Sequence, residues 1–537
     1  MNYGFVIDNR MCIGCHACTV ACKSEHDIPI GVNRTHVKYI DKGEFPKSTR
    51  EFSVHRCNHC KDAPCVEICP TTALYDRADG IVDFDSDRCI GCKSCMQACP
   101  YDALYIDPDT HTAAKCNYCA HKVDHGYEPA CVIVCPVEAI ISGDLDDPNS
   151  NISHLVKNEK TMTRKPEKLT VPNLYYINGS NEMLNPTATE RTSDYLWSEQ
   201  SKGVGHFAKY AEERVAESNT ENLLVQLAME NSSKLNKPID RRAIDDVAKE
   251  IEKELDNSKA TRTYDTPSKG VLWGWEVSTY VLTKAISTGT FLMLAFCSLF
   301  FGGIDYSVEI NGLIISLVFM AITGGLLVMD LDRPDRFFYV LLRPQWKSWL
   351  VRGAYIITAF GGLVTLKLID TTFELGMDFL WYFGMIFSVL GAIYTAFLFA
   401  QARARDLWQS KWTSALHMLI HAIMAGTIVM MFVDILLVDK IVDILLWCII
   451  INLVIIVKEI FFPHNSSDTK QAITLMTKGY YSRYFWTGIV LGNLIPLSML
   501  LISPDIIICL VAAALATIGI FLTELVRIRI PQMIPLS

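Results

Sequence analysis

The sequence lacks the cationic chemistry that nucleic-acid binding requires. Its formal net charge is −9 at pH 7, and no basic patch interleaved with aromatic residues occurs along the chain. Because nucleic acids are bound through clustered Lys and Arg side chains, the composition excludes a nucleic-acid partner.

The N-terminus also lacks the features of an export signal. Its first residues, "MNYGFVIDNRM", contain neither a basic n-region nor an apolar h-region, and a twin-arginine motif is absent. We therefore expect that nothing in the sequence itself exports this end of the chain.

Cysteine is absent from residues 146–270 and rare after them, which divides the chain into three regions. Residues 1–145 hold 16 of the 19 cysteines, the middle region is polar, and residues 271–537 consist mostly of apolar runs. Three regions of such different composition indicate a multi-domain protein.

The sixteen N-terminal cysteines fall into four quartets with a short, repeated spacing. The first and third quartets read C-x2-C-x2-C-x3-C, while the second and fourth widen the gap before the third cysteine. Pro70, Pro100 and Pro136 follow three of the fourth cysteines, as in bacterial ferredoxins. The quartets are Cys12, Cys15, Cys18 and Cys22; Cys57, Cys60, Cys65 and Cys69; Cys89, Cys92, Cys95 and Cys99; Cys116, Cys119, Cys131 and Cys135.

This spacing favours [4Fe–4S] clusters over the other uses of cysteine. Three thiolates set two residues apart reach three irons of one cubane, and the fourth faces a neighbouring cluster. Structural zinc gives no reason for this run of cysteines, and disulfides require an oxidising compartment. Since "CPTTALY", "CPYDALY" and "CPVEAII" repeat one turn-then-strand unit, we predict two ferredoxin-like modules that hold four [4Fe–4S] clusters.

Residues 1–178 resemble the four-cluster electron-transfer subunits of molybdopterin oxidoreductases such as dimethyl sulfoxide, polysulfide and nitrate reductases and formate dehydrogenase. The quartets carry the resemblance, and "KLTVPNLYYI" at 168–177 resembles the tail that follows the fourth quartet in that family. The resemblance implies an α+β tandem ferredoxin-like domain, a molybdopterin-containing catalytic partner and an exchange of fourth cysteines between quartets. The implied ligand sets are Cys12, Cys15, Cys18 and Cys135; Cys116, Cys119, Cys131 and Cys22; Cys57, Cys60, Cys65 and Cys99; Cys89, Cys92, Cys95 and Cys69.

Residues 179–270 form a polar region rich in Asn, Ser, Glu and Lys. The segment 241–255 places apolar residues at helical spacing, and 223–232 is a second candidate helix. This composition predicts a linker with amphipathic helices that lie on a neighbour, with a docking surface for a partner subunit as the alternative.

Eight apolar stretches in residues 271–537 are long enough to cross a membrane, which takes about 20 residues. A segment such as "IIICLVAAALATIGIFL" shows no polar face, unlike a helix at the surface of a soluble core. We therefore predict an all-α bundle of eight transmembrane helices. The predicted spans are 277–301, 310–329, 351–369, 380–400, 413–437, 441–461, 485–503 and 506–524.

Positive charges in the loops predict the orientation in the bacterial inner membrane. Eight spans put both termini on one side, and Lys and Arg concentrate in the loops of that side, whereas the opposite loops hold Lys440, with Lys367 at a helix end. Cytoplasmic loops carry such an excess, so we expect the iron–sulfur domain and both termini to be cytoplasmic. The residues counted are Arg333, Arg336, Arg343, Lys347, Arg352, Arg403, Arg405, Lys411, Lys458, Lys470, Lys478, Arg483, Arg527 and Arg529.

The segment "DLDRPDRFFYVLLRP", residues 330–344, resembles the arginine–proline loop of the polysulfide reductase membrane-subunit, or NrfD-like, family. The resemblance covers roughly 271–537 and implies a haem-free, quinone-reactive domain of eight helices. The iron–sulfur and membrane parts are commonly separate chains in that family. Their fusion here departs from the pattern, although it suits two parts that must dock to exchange electrons.

A quinone site is expected near the membrane surface that faces the clusters. A quinone exchanges two electrons and two protons, so it needs hydrogen-bonding partners and a proton path, and ionisable groups within a membrane are costly and usually functional. The candidates for binding menaquinone or ubiquinone are Glu276, Tyr280, Lys284, Asp330, Arg333, Arg336, Tyr355, Tyr394, His417 and His421. Arg333 and Arg336 have an alternative role as loop anchors, and Tyr280 and Tyr355 as interface anchors.

The two histidines of the fifth span do not predict haem. His417 and His421 lie one turn apart on one helix face, so they cannot bind opposite faces of one porphyrin, and no other predicted span contains histidine. A chain of residues from His417 through His421 to Asp434 that carries protons part way across the membrane is a further hypothesis.

These patterns predict an electron-transfer and quinone-binding membrane subunit of a molybdopterin complex, with no catalytic residue for the other substrate in this chain. The cytoplasmic orientation favours oxidation of sulfite or another sulfur compound with reduction of quinone. Two alternatives stay open. One is a terminal reductase for polysulfide, thiosulfate or sulfoxide with reversed electron flow. The other is a redox-driven ion transporter, for which the interrupted seventh span, "LGNLIPLSML", is a feature.

Overall fold

A computed structural model describes most of the chain. The described residues are 1–44, 47–191, 260–266, 269–301, 303–462, 466–502 and 505–537. The two predicted linker helices, 223–232 and 241–255, lie outside these ranges. Among the described residues, a small cysteine-rich α/β region packs against one end of a set of long apolar helices.

Two four-stranded sheets and two hairpins organise the part of the N-terminal region that the structure describes. The strands are β1 Tyr3–Asp8, β2 His36–Glu44, β3 Lys47–His55, β4 Leu74–Asp76, β5 Val82–Phe84, β6 Leu104–Ile106, β7 Ala113–Lys115, β8 Ile140–Asp144, β9 Thr161–Met162, β10 Leu174–Ile177, β11 Glu190–Arg191 and β12 Thr261–Tyr264. The sheet orders are β8-β1-β10-β9 and β11-β12-β2-β3, while β4 pairs with β5 and β6 with β7. β1 runs antiparallel to β8 and parallel to β10.

The repeated cysteine–proline units have the structure that their sequences predict. β4, β6 and β8 each begin a few residues after a Cys-Pro pair, so all three copies form a turn followed by a strand. Short helices accompany them. Those that lie within the quartets are short because the close cysteine spacing leaves little room between ligands, and α6 and α7 follow the last quartet. They are α1 Ala17–Glu25, α2 Pro64–Ile68, α3 Ser94–Ala98, α4 Ala120–Val123, α5 Ala130–Ile133, α6 Asn151–Asn158 and α7 Asn181–Leu184.

Among the described residues of the C-terminal region, eight helices are long and apolar enough to cross a membrane, as predicted. They are α8 Trp275–Phe300, α9 Tyr306–Met329, α11 Trp349–Phe373, α12 Phe379–Gln401, α13 Lys411–Val433, α14 Val438–Phe461, the interrupted seventh helix α16 Ser482–Ile489 and α17 Ile495–Ile502, and α18 Ile506–Met533. Connecting helices are α10 Tyr339–Leu342 and α15 Ser467–Thr477. Short 3-10 turns cover Pro166–Lys168, Pro186–Ala188, Pro334–Arg336, Asp406–Gln409 and Ile435–Leu437.

The predicted last span, 506–524, lies within a longer helix, because α18 continues to Met533. Glu524, Arg527 and Arg529 make its last turns too polar for a hydropathy criterion. Glu524 nevertheless lies buried, with its carboxylate against a neighbouring helix. Partners in the folded protein therefore stabilise these charged residues. A hydropathy criterion, which cannot take such partners into account, ends the span at the first of them.

The interruption in the seventh span is a π-helical turn over Val490–Leu494. Pro496 removes a backbone donor from the helical ladder, which is a common cause of such irregularities. Gly492 in this turn packs directly on Gly519 of α18, where an added Cβ would lie 2.2 Å from the Gly519 Cα. The turn thus allows two helices to approach closely.

Helix α8 is the centre of the membrane region. In its most apolar stretch of 18 residues, 72% is buried inside the protein, which is the highest fraction among the eight described spans. It packs against α9, α12, α13 and α18. Its N-terminal end faces the iron–sulfur region, since the indole Nε1 of Trp273 donates to the carbonyl of Cys92 at 3.3 Å. We call this end of the bundle the cluster side.

Candidate functional site

The sixteen quartet cysteines gather in four groups, each of which takes its fourth member from another quartet. The family resemblance implies ligand sets of the same composition, and these sets stay a prediction. The thiol neighbours are Cys135 with Cys12; Cys22 with Cys116, Cys119 and Cys131; Cys99 with Cys57, Cys60 and Cys65; Cys69 with Cys89, Cys92 and Cys95.

The donor sets fit [4Fe–4S] clusters. Each set consists of four thiols, soft ligands that select iron–sulfur clusters or zinc, on the short loops that cluster binding requires. Burial raises the pKa of the Cys18 thiol to about 11, so an unliganded thiol there stays protonated at neutral pH. A bound metal centre would hold such a group as the thiolate.

The first and third quartets use the same loop conformation, which accounts for the repeat "CIGC" in the sequence. Gly14 and Gly91 both have φ of 69°, and the following His16 and Lys93 have φ of 60° and 59°. At Gly91 an added Cβ would also lie 2.7 Å from the Cβ of Asp332. Glycine at this position therefore permits the turn and the approach of the membrane domain.

Arg56 is a buried cation among the thiols of the two groups that the first and fourth quartets form. Its Nη1 donates a hydrogen bond to the Cys131 sulfur at 3.0 Å, and its charge also faces Cys18 and Cys116. Hydrogen bonds to the sulfurs and nearby charge tune cluster reduction potentials. A positive charge favours the reduced, more negative cluster, so Arg56 should raise the potential.

We predict that Arg56→Gln lowers the reduction potential of an adjacent cluster. Loss of one charge a few ångströms away corresponds to on the order of 100 mV at an effective dielectric constant near 20. Redox titration of the intact protein followed by electron paramagnetic resonance measures the shift. Arg56→Lys is the matched control because it keeps the charge. Equal potentials in the wild type and Arg56→Gln would contradict the assigned role.

The arginine–proline loop of the membrane region is bound to the third quartet. The backbone N–H groups of Asp332 and Arg333 donate to the carbonyls of Gly91 and Ile90, at 3.3 and 3.2 Å. Arg336 Nη1 donates to the Ser86 carbonyl at 2.7 Å. The loop therefore holds the third quartet against the ends of the membrane helices.

A cavity of 230 Å³ lies where this quartet meets the membrane helices. Its walls are mostly aliphatic and aromatic side chains from α8, α9, α11 and α12, which suits a planar apolar ring. A few polar groups project into it. They are Cys92, Ser94, Tyr280, Asp330, Thr358 and Tyr394. The cavity is thus bounded by a predicted cluster ligand on one wall and by hydroxyl and carboxyl groups on others.

Asp330, one residue beyond the end of α9, supplies a carboxyl group to the lining of this cavity. Burial raises its pKa to about 7, partly offset by the nearby Lys93 ammonium. A carboxyl group with this pKa can accept and release protons at neutral pH.

The structure brings together only part of the predicted quinone set. Tyr280, Asp330 and Tyr394 line the cavity. Arg333 pairs with Asp335 at 2.9 Å. Arg333 and Arg336 therefore anchor the arginine–proline loop, which was their alternative role in the sequence analysis.

The other predicted residues lie around the cavity. The Tyr355 hydroxyl donates to the Leu341 carbonyl at 2.8 Å. Glu276 lies in the first turn of α8, near Asp330. Lys284, His417 and His421 lie behind the cavity wall, within the bundle.

The two histidines of α13 meet a carboxylate, although not the predicted one. His421 Nδ1 lies 2.8 Å and His417 Nδ1 3.5 Å from the Glu524 carboxylate. Asp434, which the sequence hypothesis placed next in the relay, instead accepts a hydrogen bond from the Leu436 N–H at 2.9 Å. The signal for Glu524 in the sequence was a carboxylate in an apolar helix, followed three residues later by Arg527.

Sequence reasoning missed the residues that join the two regions. Gln532 Oε1 accepts hydrogen bonds from the backbone of Trp273 at 2.9 Å and from the Gln97 amide at 2.5 Å. Arg405 donates to Gln97 at 2.9 Å. These partners are hundreds of residues apart, so no local sequence pattern predicts their contacts.

The fold and its site define a class: an iron–sulfur electron-transfer region joined to a multi-helix membrane region. The family model for polysulphide reductase NrfD matches residues 265–534. A 4Fe-4S dicluster domain matches 49–145, and a 4Fe-4S binding domain matches 10–25.

Relatives match the N-terminal third. A polysulfide reductase chain from Wolinella succinogenes is 43% identical over 178 residues, which are 33% of this protein and 93% of the relative. A tetrathionate reductase subunit from Salmonella typhimurium is 40% identical over 201 residues, 37% of this protein and 80% of the relative. The arsenate respiratory reductase iron-sulfur subunit ArrB of a Shewanella species is 35% identical over 225 residues, 33% of this protein and 96% of the relative.

The protein belongs to the polysulphide reductase NrfD family, and a 4Fe–4S electron-transfer region similar to the Wolinella polysulfide reductase chain is fused in front of its membrane region. It is an oxidoreductase component of a membrane electron-transport system. Because the relatives are named as subunits or chains of reductases, a catalytic partner is implied.

Proposed function

We propose that this chain passes electrons through four [4Fe–4S] clusters between a molybdopterin-containing catalytic subunit and a quinone bound in the 230 Å³ cavity. The sixteen quartet cysteines are the ligands, in the four exchanged sets described above. When bound, the clusters supply one-electron steps and the quinone supplies the two-electron, two-proton couple. The proposed domains are 1–178 for the clusters, 179–270 for the linker and 271–537 for the membrane.

The observation that carries this proposal is the linear order of the four thiol groups. Three close pairs join successive groups: Cys18 with Cys131, Cys116 with Cys57, and Cys65 with Cys95. At one end Cys15 is exposed, where a partner can approach. At the other end Cys92 lines the cavity among the membrane helices. A route with one end at the surface and one at a membrane cavity suits electron transfer.

The cavity residues have distinct roles in this proposal. The hydroxyl groups of Tyr280 and Tyr394 hydrogen-bond the ring oxygens, and Asp330 exchanges a proton with one of them. The apolar walls orient the ring and exclude water. The indole of Trp273 fixes the third quartet through its bond to the Cys92 carbonyl.

The names of the relatives favour the reductase direction. They act, by their names, on polysulfide, tetrathionate and arsenate as reductases. We therefore propose that quinol is the electron donor and that the partner reduces the terminal acceptor. Oxidation of sulfite or another sulfur compound, which the sequence interpretation favoured, is the second candidate, supported by the proposed cytoplasmic orientation.

That orientation rests on the loop charges. The Lys and Arg residues counted from the sequence lie in loops and helix ends on the cluster side, whereas Lys367 and Lys440 belong to the opposite ends of the helices. Under the positive-inside rule the cluster side is cytoplasmic. Labelling of introduced cysteines at the loop ends in intact cells tests it.

A quinone analogue separates this function from ion transport. It should bind the purified intact protein and block electron exchange between quinol and the clusters. Tyr394→Phe should weaken binding, because it removes one hydroxyl donor. A transporter that uses the clusters only for regulation would neither bind the analogue nor lose activity, and that outcome would overturn the proposal.

Asp330→Asn should slow quinol oxidation by about 10²-fold, the usual size of a general-base contribution. In the wild type the reaction should accelerate as the pH rises through about 7, because the pKa of Asp330 lies there and the carboxylate form accepts the proton. The variant should lose this pH step and keep analogue binding. Rates of cluster reduction by a quinol across the range from weakly acidic to weakly alkaline pH provide the measurement. An unchanged pH profile would contradict the role.

A further inference from the structure

A group of charged and imidazole side chains lies inside the membrane bundle and takes no part in the proposed electron route. Its centre is Glu524, which is 2% exposed and contacts both His417 and His421. The Nε2 atoms of both histidines are buried without a hydrogen-bond partner among the described residues. Ionisable groups in a membrane are costly and usually mark a path for ions or protons.

One end of this group reaches an open, polar cavity on the cluster side. Arg527 Nη1 contacts His417 Nδ1, and Arg527 Nη2 lies 3.1 Å from the Glu459 carboxylate. Arg527 and Glu459 both line a cavity of 1330 Å³, together with Lys165 of the iron–sulfur region. We call this cavity the vestibule. Its size and charged walls suit bulk water.

The other end reaches the back of the cavity proposed for quinone. Lys284, His421 and Glu524 line a small enclosed space of 10 Å³, about the room that one water needs. Lys284 Nζ donates to Thr395 Oγ1 at 2.5 Å and lies 4.5 Å from the centre of the Tyr394 ring. Tyr394 lines the quinone cavity, and so does Tyr280, which precedes Lys284 by one helical turn.

We propose that Lys284, Glu524, His421 and His417 form a proton relay between the quinone cavity and the vestibule. This inference rests on the proposed function. For each quinol oxidised to quinone, two electrons leave for the clusters and two protons leave the ring oxygens. Asp330 and the Tyr394–Lys284 end receive these protons. From Lys284 Nζ a proton passes to Glu524 Oε1 and on to His421 Nδ1. His417 Nδ1 already accepts a hydrogen bond from Arg527, so the proton leaves past His417 through vestibule water beside Glu459.

The relay has a consequence for energy conservation. The vestibule and the clusters are on the same side of the membrane, so electrons and protons leave the cavity toward one side. Quinol oxidation through this relay moves no net charge across the bilayer. The always-charged Arg527 does not carry protons; it holds His417 in contact with the vestibule.

The test compares Glu524→Gln with a matched carboxylate variant, Glu309→Gln. Glu309 lies in the first turn of α9, at the opposite end from Asp330, where it contacts Lys367 at 3.5 Å. Three measurements are made on the full-length protein: binding of a quinone analogue, redox-induced infrared difference spectra, and pH change in proteoliposomes with the iron–sulfur region outside.

The relay predicts that Glu524→Gln binds the analogue normally but slows quinol oxidation by about 10²-fold. Carboxyl infrared signals from Asp330 and Glu524 should appear on quinone reduction in the wild type and in Glu309→Gln. Glu524→Gln should lose the Glu524 signal and keep the Asp330 signal. Glu524→Asp should restore part of the rate. In the wild type, protons should appear outside the vesicles, on the cluster side.

The possible failures are distinguishable. If the wild-type protein does not bind the quinone analogue, the proposed function itself is refuted. Normal binding with unchanged rate and infrared signal in Glu524→Gln refutes the relay alone. Proton release inside the vesicles, measured with a trapped dye on wild-type protein, also refutes it, and this measurement stands even when the Glu524 variants fail to fold.

Discussion

Cys92→Ala should remove one of the four clusters and disconnect the rest from the membrane. Cys92 belongs to the thiol group nearest the cavity proposed for quinone and itself forms part of the wall. Without this ligand the cubane loses one of its four protein bonds. The iron content should fall by about four per chain, and electron exchange with quinol by about 100-fold or more, while dithionite still reduces the three remaining clusters.

The matched control is Cys297→Ala, which removes a buried cysteine of α8 that belongs to no quartet. It should leave iron content and quinol reactivity unchanged. Iron analysis, with electron paramagnetic resonance of the dithionite-reduced and quinol-reduced proteins, distinguishes the two. A Cys92→Ala protein that keeps its iron and still reacts with quinol would show that electrons enter elsewhere.

Gly289→Ala should prevent α8 and α13 from packing. A Cβ at residue 289 would lie 1.8 Å from the Ala422 carbonyl oxygen, and a Cβ at Gly426 would lie 2.0 Å from the Gly289 oxygen. Both obstacles are backbone atoms, so a side-chain movement cannot relieve the clash. Small residues allow membrane helices to approach closely. Overpacking at such a contact costs about 3 kcal/mol or more.

The control for this variant is Gly362→Ala in α11, where an added Cβ meets no atom within 4 Å. Both changes add one methyl group to an apolar helix and improve helix propensity. The unfolding temperature in detergent should drop strongly for Gly289→Ala and stay the same or rise for Gly362→Ala. Equal stability of the two variants would contradict the close helix contact.

The sequence predicts the iron–sulfur region, the membrane spans and the helix interruption, because each of these depends on residues that are close together in the chain. The cysteine spacing identifies the iron–sulfur region because cluster ligands must lie on short loops. Apolar length identifies the eight spans because a bilayer has a fixed thickness. The π-helical turn falls at the interruption that Pro496 and Gly492 indicate.

Features that depend on distant partners were not predictable in the same way. Arg336 looks like a membrane-edge cation, yet it binds the Ser86 carbonyl 250 residues earlier. Glu524 meets His421 across 103 residues, whereas the sequence placed Asp434 in that role. A hydropathy window also cannot show that the polar end of α18 is buried by the iron–sulfur region.

The domain contact explains why the cavity could be predicted only in part. The sequence predicted Tyr280, Asp330 and Tyr394, because they are polar or ionisable residues near helix ends on the side that faces the clusters. Cys92 was assigned to a cluster alone and Ser94 to no role, since nothing in their local sequence indicates contact with a membrane helix. Their position on the cavity wall arises from the docking of the arginine–proline loop.

The most direct test of the central claim is a single-turnover reduction of the full-length, oxidised protein by a short-chain quinol, followed by electron paramagnetic resonance. We predict that dithionite reduction shows four [4Fe–4S] signals, and that quinol produces cluster signals on mixing, with two cluster electrons gained per quinol. Absence of cluster signals in the presence of excess quinol would contradict the connection between the clusters and the membrane cavity.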